Sequence, residues 1–159
     1  MIRTATVEDA AAIATIQAHG WRHAYADIVA PEDMHEASEM EPRWRERLVD
    51  PDIGARVFAQ DGVVAGFATF GASREDDAAA RTGELYALYV EPAAQGAGVG
   101  SALLQDAVGA LVELTFVDAT LRTFEANGLA RAFYERHGWV LDPPVEAGDP
   151  PTVRYRRAL

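Results

Sequence analysis

Gln95-Gly96-Ala97-Gly98-Val99-Gly100, reached from Glu84-Leu85-Tyr86-Ala87-Leu88-Tyr89-Val90 through a short link containing Pro92, is the stretch on which the fold turns. Glu84 to Val90 is apolar on both faces, which suits a central strand of a covered sheet, and Pro92 stops it. Beyond the glycines, Val99, Leu103, Leu104, Val108 and Leu111 recur at helical spacing, so a helix begins at or within the last of them. At such a junction several backbone N–H groups converge beside the positive end of a helix dipole and form an anion site. Glycine matters there because a Cβ would block the approach of a phosphate to the main chain and would penalise left-handed dihedrals. A turn that merely reverses direction is the simpler alternative for a lone loop of this kind.

Two other phosphate-binding patterns can be tested against the loop. A nucleoside triphosphate loop ends in Gly-Lys-Ser/Thr, whereas Gly100 is followed by Ser101-Ala102, so that reading fails. A dinucleotide fingerprint needs its third glycine where Ser101 stands and its first directly after the strand, yet five residues separate Val90 from Gly96. These departures weaken the dinucleotide reading, and Asp118, about where the ribose-binding acid of that fingerprint would be, keeps it from being eliminated.

Working outward, Arg56 to Gln60 and Val63 to Phe70 flank Asp61-Gly62, a pair that supplies the positive dihedrals of a tight hairpin turn. Ser73 to Thr82 is a polar loop. Ile2 to Ala5 reads as an opening strand, and Thr6 to Asp9 caps a helix that should end near Gly20. Trp21, Tyr25, Ile28, Val29 and Pro31 have no clean period, and a second helix is expected from Pro42 to Leu48. On the other side, Thr120 to Phe124 is a strand, and Asn127 precedes a helical stripe of Leu129, Ala130, Phe133, Tyr134 and His137 closed by Gly138. Trp139 to Leu141 and Val153 to Tyr155 are two last strands joined by a loop from Asp142 to Pro151. With no repeat or linker in 159 residues, one domain spanning 1–159 is expected.

Composition removes several chemistries. There is no cysteine, which excludes disulfides, thiolate metal sites and a cysteine nucleophile. His19, His23, His35 and His137 form neither a zinc-like cluster nor a His-x-x-x-His pair with a glutamate, so no metal is expected. Ser73 and Ser101 lack the surroundings of a nucleophile elbow. A net charge of -11 repels phosphate backbones and anionic lipid, which argues against nucleic acid and membrane partners and favours a cationic acceptor, although solubility alone explains an acidic surface. Neither a long apolar run nor a cleavage signal follows Met1, so the expected location is cytoplasmic.

Gln95-x-x-Gly98-x-Gly100 resembles the Gln/Arg-x-x-Gly-x-Gly/Ala signature of the GNAT superfamily of N-acetyltransferases. The strand Glu84 to Val90 resembles the one that precedes this loop in the family, and Asn127 with Phe133-Tyr134-Glu135-Arg136-His137-Gly138-Trp139 resembles its downstream Asn and Phe-Tyr-Glu-Arg-x-Gly-Phe segment. The resemblance is strong from about Val63 to Trp139 and looser outside. It implies an α+β fold in α/β/α layers: a mixed, mostly antiparallel central sheet with helices on both faces and a splayed strand pair.

The same resemblance implies an acetyl-CoA-dependent acyltransferase acting on a primary amine, either a small molecule or a peptide amino group. Backbone amides of Gln95, Gly96, Ala97, Gly98, Val99, Gly100 and Ser101 would hold the diphosphate of coenzyme A. Leu88, Tyr89 and Val90 would pair the pantetheine arm through their main chain, with Asn127, Ala130 and Phe133 completing the cofactor site. A backbone N–H near Val90 would face the thioester oxygen.

A protonated amine needs a base before it attacks, and a departing thiolate needs an acid. Glu84, on the same face of its strand as Tyr86, Leu88 and Val90 by simple alternation, is preferred as base over Glu125, and Tyr134 matches the family's general acid. The bland readings are a solvated strand end for Glu84 and a core aromatic for Tyr134. Trp21 and Tyr25 are the candidate walls of the acceptor pocket. A catalytically silent acyl-CoA-binding regulatory module is the alternative function, since it would share the loop. A homodimer is compatible with the resemblance, as many members pair.

Overall fold

The structure is a computed structural model and describes residues 1–143 and 148–159. Part of the loop expected between Asp142 and Pro151, residues 144–147, lies outside the described residues. The chain runs β1 (Ile2–Thr4), α1 (Ala10–Ala24), α2 (Ala37–Leu48), β2 (Gly54–Gln60), β3 (Val63–Ala72), β4 (Thr82–Val90), α3 (Val99–Glu113), β5 (Asp118–Phe124), α4 (Gly128–Arg136), β6 (Val140–Asp142) and β7 (Thr152–Ala158). The strands form one seven-stranded sheet in the order β1-β2-β3-β4-β5-β7-β6. All neighbours are antiparallel except β4 and β5. This is the mixed, mostly antiparallel sheet the resemblance implied.

Each face of the sheet buries its own core. On one, α1 and α2 pack Ile13, Ile16, Met40 and Trp44 over Val57 and Phe67. On the other, α3 and α4 pack Leu103, Leu104, Leu111 and Tyr134 over Phe70, Leu85, Leu121 and Tyr155. The β2–β3 hairpin turns at Asp61 (φ 51) and Gly62 (φ 81), as the dipeptide required. Gly138 closes α4 with φ +82, and Asn127 caps its start by accepting the Ala130 amide at 3.2 Å.

Two expectations about the first 50 residues are corrected. Gly20 does not end α1, which continues to Ala24 with Tyr25 as its C-cap. The glycine is there for proximity: a Cβ on it would meet Cδ1 of Tyr89 at 2.8 Å. Pro42 does not open α2 but lies inside a helix that starts at Ala37. Tertiary anchoring holds that helix despite the missing amide. Trp44 is buried, and its Nε1 donates to Gln17 Oε1 at 2.8 Å across to α1. Among the described residues no helix is long and apolar enough to cross a membrane.

The strand pair that matters for function is β4 and β5. Their parallel pairing covers only Thr82 to Leu85 against Asp118 to Leu121, after which they part while β4 continues to Val90 and β5 to Phe124. A register shift between Thr69 and Phe70 of β3, paired with Ala87 and Leu85, places an extra residue, Tyr86, in β4. That bulge reverses the alternation, so Leu85, Leu88 and Val90 face α3 and α4 while Ala87 and Tyr89 face α1 and α2. The expectation that Glu84 shares a face with Leu88 and Val90 is therefore wrong. Glu84 and Tyr86 lie on the α1 side of the sheet.

Candidate active site

Between the parted ends of β4 and β5 lies a cleft enclosing about 160 Å³. β4 lines it from Leu85 to Val90, β5 contributes Arg122 and Thr123, and α4 adds Asn127, Ala130 and Tyr134. Gly20 and Ala24 of α1 and its C-cap Tyr25 line the far side, and Gln95 of the glycine loop is also part of the lining. Two unpaired main-chain edges face this space. Antiparallel pairing with β3 turns alternate residues inward: the Glu91 amide donates to Ala65 O at 2.9 Å, and Phe67 lies opposite Tyr89. The intervening Leu88 and Val90 thus turn their N–H and C=O groups toward the gap. Tyr89 was expected to offer its main chain there, but that is engaged with β3, and it is the Tyr89 ring that lines the cleft.

The glycine loop supplies the second set of free groups. Gly96 and Gly98 have φ of +81 and +84 with nothing within 4 Å of a Cβ built on either, and Gly98 is the N-cap of α3. Ala102 is the first amide of the helix to find a main-chain acceptor, Gly98 O at 3.0 Å. Among the described residues the amides of Gly96, Ala97, Gly98, Val99, Gly100 and Ser101 make no main-chain hydrogen bond of normal geometry. Such a run at a helix N-terminus suits a diphosphate. Gln95 uses its side chain differently, with Nε2 donating to Val90 O at 3.2 Å and tying the loop to the end of β4. Phe133 packs at 3.6 Å from the position of a Cβ on Gly100, and His137 braces the loop from behind, with Nε2 at 3.0 Å from Ser101 Oγ.

Tyr134 is 8% exposed and sits beside the gap, where burial and then the neighbouring Tyr25 push its phenol well above the ordinary value. Glu84 accepts the Arg74 amide at 2.7 Å and pairs with the Arg74 guanidinium at 3.6 Å. It lies opposite Thr120, where β4 and β5 still touch, one residue outside the cleft lining. Glu125 is exposed beyond the end of β5. Tyr25 is a cleft residue, whereas Trp21 stands behind it, its Nε1 donating to the Tyr89 hydroxyl at 2.9 Å. Gly20, Ala24, Arg122 and Thr123 went unnoticed in the sequence. Only the position of Arg122 and Thr123, in the strand next to the glycine-loop strand, could have marked them.

A sequence model of the Acetyltransferase (GNAT) family matches residues 12–139. The N-acetyltransferase YuaI of Bacillus subtilis (strain 168), itself uncharacterized, is 32% identical over 130 residues, which is 79% of this chain and 72% of that protein. This chain belongs to the acetyltransferase (GNAT) family. Membership makes it an acetyl-CoA-dependent N-acetyltransferase. The fold agrees with that of solved structures: the PaiA N-acetyltransferase of Thermoplasma acidophilum, in complex with coenzyme A, superposes with a TM-score of 0.83 at 20% identity, covering 100% of this chain and 98% of that one. The ribosomal-protein-alanine N-acetyltransferase of Brucella melitensis gives 0.79 at 21% identity, covering 100% and 99%.

Proposed function

We propose that this protein, acting as one domain, transfers the acetyl group of acetyl-CoA directly to a primary amine, with Glu84 as base and Tyr134 as acid. The observation that carries the reading is the run of unpaired amides at the entrance of α3 beside a cleft where Leu88 exposes its main chain and Val90 its N–H. Acetyl-CoA has the matching parts in the matching order: a diphosphate for the amides, then an amide-bearing arm for the strand edge. Asn127, Ala130 and Phe133 flank that arm.

The chemistry follows from the groups around the gap. The amine nitrogen attacks the thioester carbon as its proton passes to the Glu84 carboxylate, directly or through a water, and the Val90 N–H stabilises the oxyanion. When the tetrahedral intermediate collapses, the C–S bond breaks and the thiolate takes the Tyr134 phenolic proton, which solvent then replaces. Burial keeps that phenol protonated throughout the working range and makes it a weaker acid than a free phenol, so its proton passes as the C–S bond breaks and not before. Glu84 lies on the α1 side of the sheet, where an acceptor would enter past Tyr86, with Tyr25 standing as a wall beside that entrance. Glu125 is the reserve base. A small amine or a peptide amino group fits equally, since no acceptor-side motif distinguishes them.

The test is release of free CoA thiol from acetyl-CoA in the presence of a panel of amines. The wild type should release thiol with at least one amine, and Glu84→Gln should release it about 10²-fold more slowly. Loss of activity in Glu125→Gln with Glu84→Gln unaffected would transfer the base to Glu125. The absence of thiol release with every amine in the panel would favour a silent acyl-CoA-binding module.

A further inference from the structure

The end of the cleft on the α1 side is lined in a way that acyl transfer does not itself require. Gly20 and Ala24, one helical turn apart, offer it only a hydrogen and a methyl group. Behind them stands a set of locked aromatic rings. Tyr25 is gripped edge-on by Trp21, with centroids 5.4 Å apart, and by Phe124 at 4.8 Å. Its hydroxyl lies in the same neighbourhood as the Tyr89 hydroxyl and the Asn127 side chain, both of which act on it electrostatically. Tyr89 is fixed in turn by the Trp21 hydrogen bond and by its close approach to Gly20. Moving Tyr25 aside would give up both edge-on ring contacts, so the ring is a stiff wall.

We infer that the last turn of α1, Gly20 and Ala24 with the Tyr25 ring behind them, is the end wall of the acyl pocket and restricts the donor to short acyl chains, acetyl above all. The inference rests on the cleft being the donor site. Direction is the argument: the free amides of the glycine loop and Tyr134 lie with α3 and α4 on one face of the sheet, and Gly20, Ala24 and Tyr25 lie on the other. An acyl group on a sulfur beside Tyr134 therefore extends through the gap, away from the diphosphate and into α1. The arm takes part of the 160 Å³, which leaves little for a tail. Where apolar room exists, each added methylene tightens binding about fourfold, so a wall shows itself as the reverse trend.

Calorimetric titration with CoA, acetyl-CoA and hexanoyl-CoA tests this without any acceptor. Binding of CoA reports on the donor site and the acyl series on the wall, so the two readings fail separately. The wild type should bind hexanoyl-CoA at least tenfold more weakly than acetyl-CoA. In Tyr25→Ala the ratio of the two dissociation constants should fall to about one or below. Ala24→Leu, at an exposed helical position that tolerates the larger side chain, should weaken acetyl-CoA about tenfold relative to CoA on the same variant. If Tyr25→Ala does not fold, Ala24→Leu decides alone. Equal affinity of the wild type for both acyl forms, or ratios unmoved in folded variants that still bind CoA, would overturn the wall. Failure of the wild type to bind CoA at all would instead remove the donor site on which it rests.

Discussion

Tyr134 illustrates how one side chain is made fit for its part. It sits on the α4 stripe that packs on the sheet, so its ring belongs to the core while its hydroxyl borders the gap. The bland reading, a core aromatic, and the functional one are both true of the same residue. Burial raises its pKa above the ordinary phenol value of about 10, so it keeps its proton where a free phenol would begin to lose one. The pH dependence of kcat/KM should accordingly rise with deprotonation of the amine and show no falling limb below about pH 10. Tyr134→Phe should keep the affinity for acetyl-CoA within about twofold, lower kcat by about 10²-fold and retain the rising limb. A falling limb near pH 8 or 9 in the wild type that vanishes in Tyr134→Phe would contradict this.

At the scale of elements, the site is made by one strand, one loop and one helix start. Gly98 is held at φ +84, and a Cβ there would touch nothing in the protein. Gly98→Ala therefore costs only backbone strain of about 1–2 kcal/mol, a few degrees of Tm in a chain of this size. The added methyl would nevertheless stand where a diphosphate approaches, so CoA affinity should fall at least tenfold. Gly62→Ala makes the comparison, since its φ of +81 and open surroundings carry the same strain far from the loop. It should lose similar stability with CoA binding intact. Equal CoA affinity in both variants would mean that the loop is only a turn.

The same elements mark how much was legible beforehand. Strand β4, the loop, α3 and the Asn127 cap were readable because each announces itself locally, through period, glycine placement or capping chemistry. The Tyr86 bulge was not, because an extra residue in a strand leaves the apolar pattern of Glu84 to Val90 unchanged and is fixed only by the partner strand. Gly20 was misread for a related reason. A glycine near a helix end looks like a terminator, and only the Tyr89 ring from a distant strand explains it.

Across the whole molecule, a charge network fastens the loop after β3 to the far half of the sheet. Arg154 of β7, 3% exposed, reaches Asp77 at 2.6 Å, Glu75 at 3.3 Å and Asp142 at 2.9 Å, and Arg122 of β5 also pairs with Glu75. Glu84 is held through the neighbouring Arg74 amide, so this clamp also steadies the proposed base. Hydrogen bonds from Arg122 to Glu75 and from Arg154 to Asp77 lower both carboxyl pKa values below the usual carboxylate range. Groups depressed in the folded state bind more protons once unfolded, so their stabilisation is present above about pH 4 and is lost as pH falls through the folded values. Thermal melts should therefore show Tm falling between about pH 5 and pH 3. Arg154→Met should lower Tm by about 5–10 °C at pH 7 and flatten that acid slope. An acid slope identical to the wild type would show that the clamp contributes nothing.

The charge balance points the same way as the site. A net charge of -11 leaves the anionic donor to be held by main-chain amides and a helix dipole. All 14 basic residues are arginine, so no side chain of the protein offers an amine to the donor it binds. What most directly tests the grip of those amides is a proton–nitrogen correlation spectrum of the ¹⁵N-labelled protein titrated with CoA. The amide resonances of residues 96 to 101 should move furthest, downfield as each N–H takes up a phosphate oxygen. Saturation with CoA that leaves these resonances in place, or the absence of any change at millimolar CoA, would contradict the account.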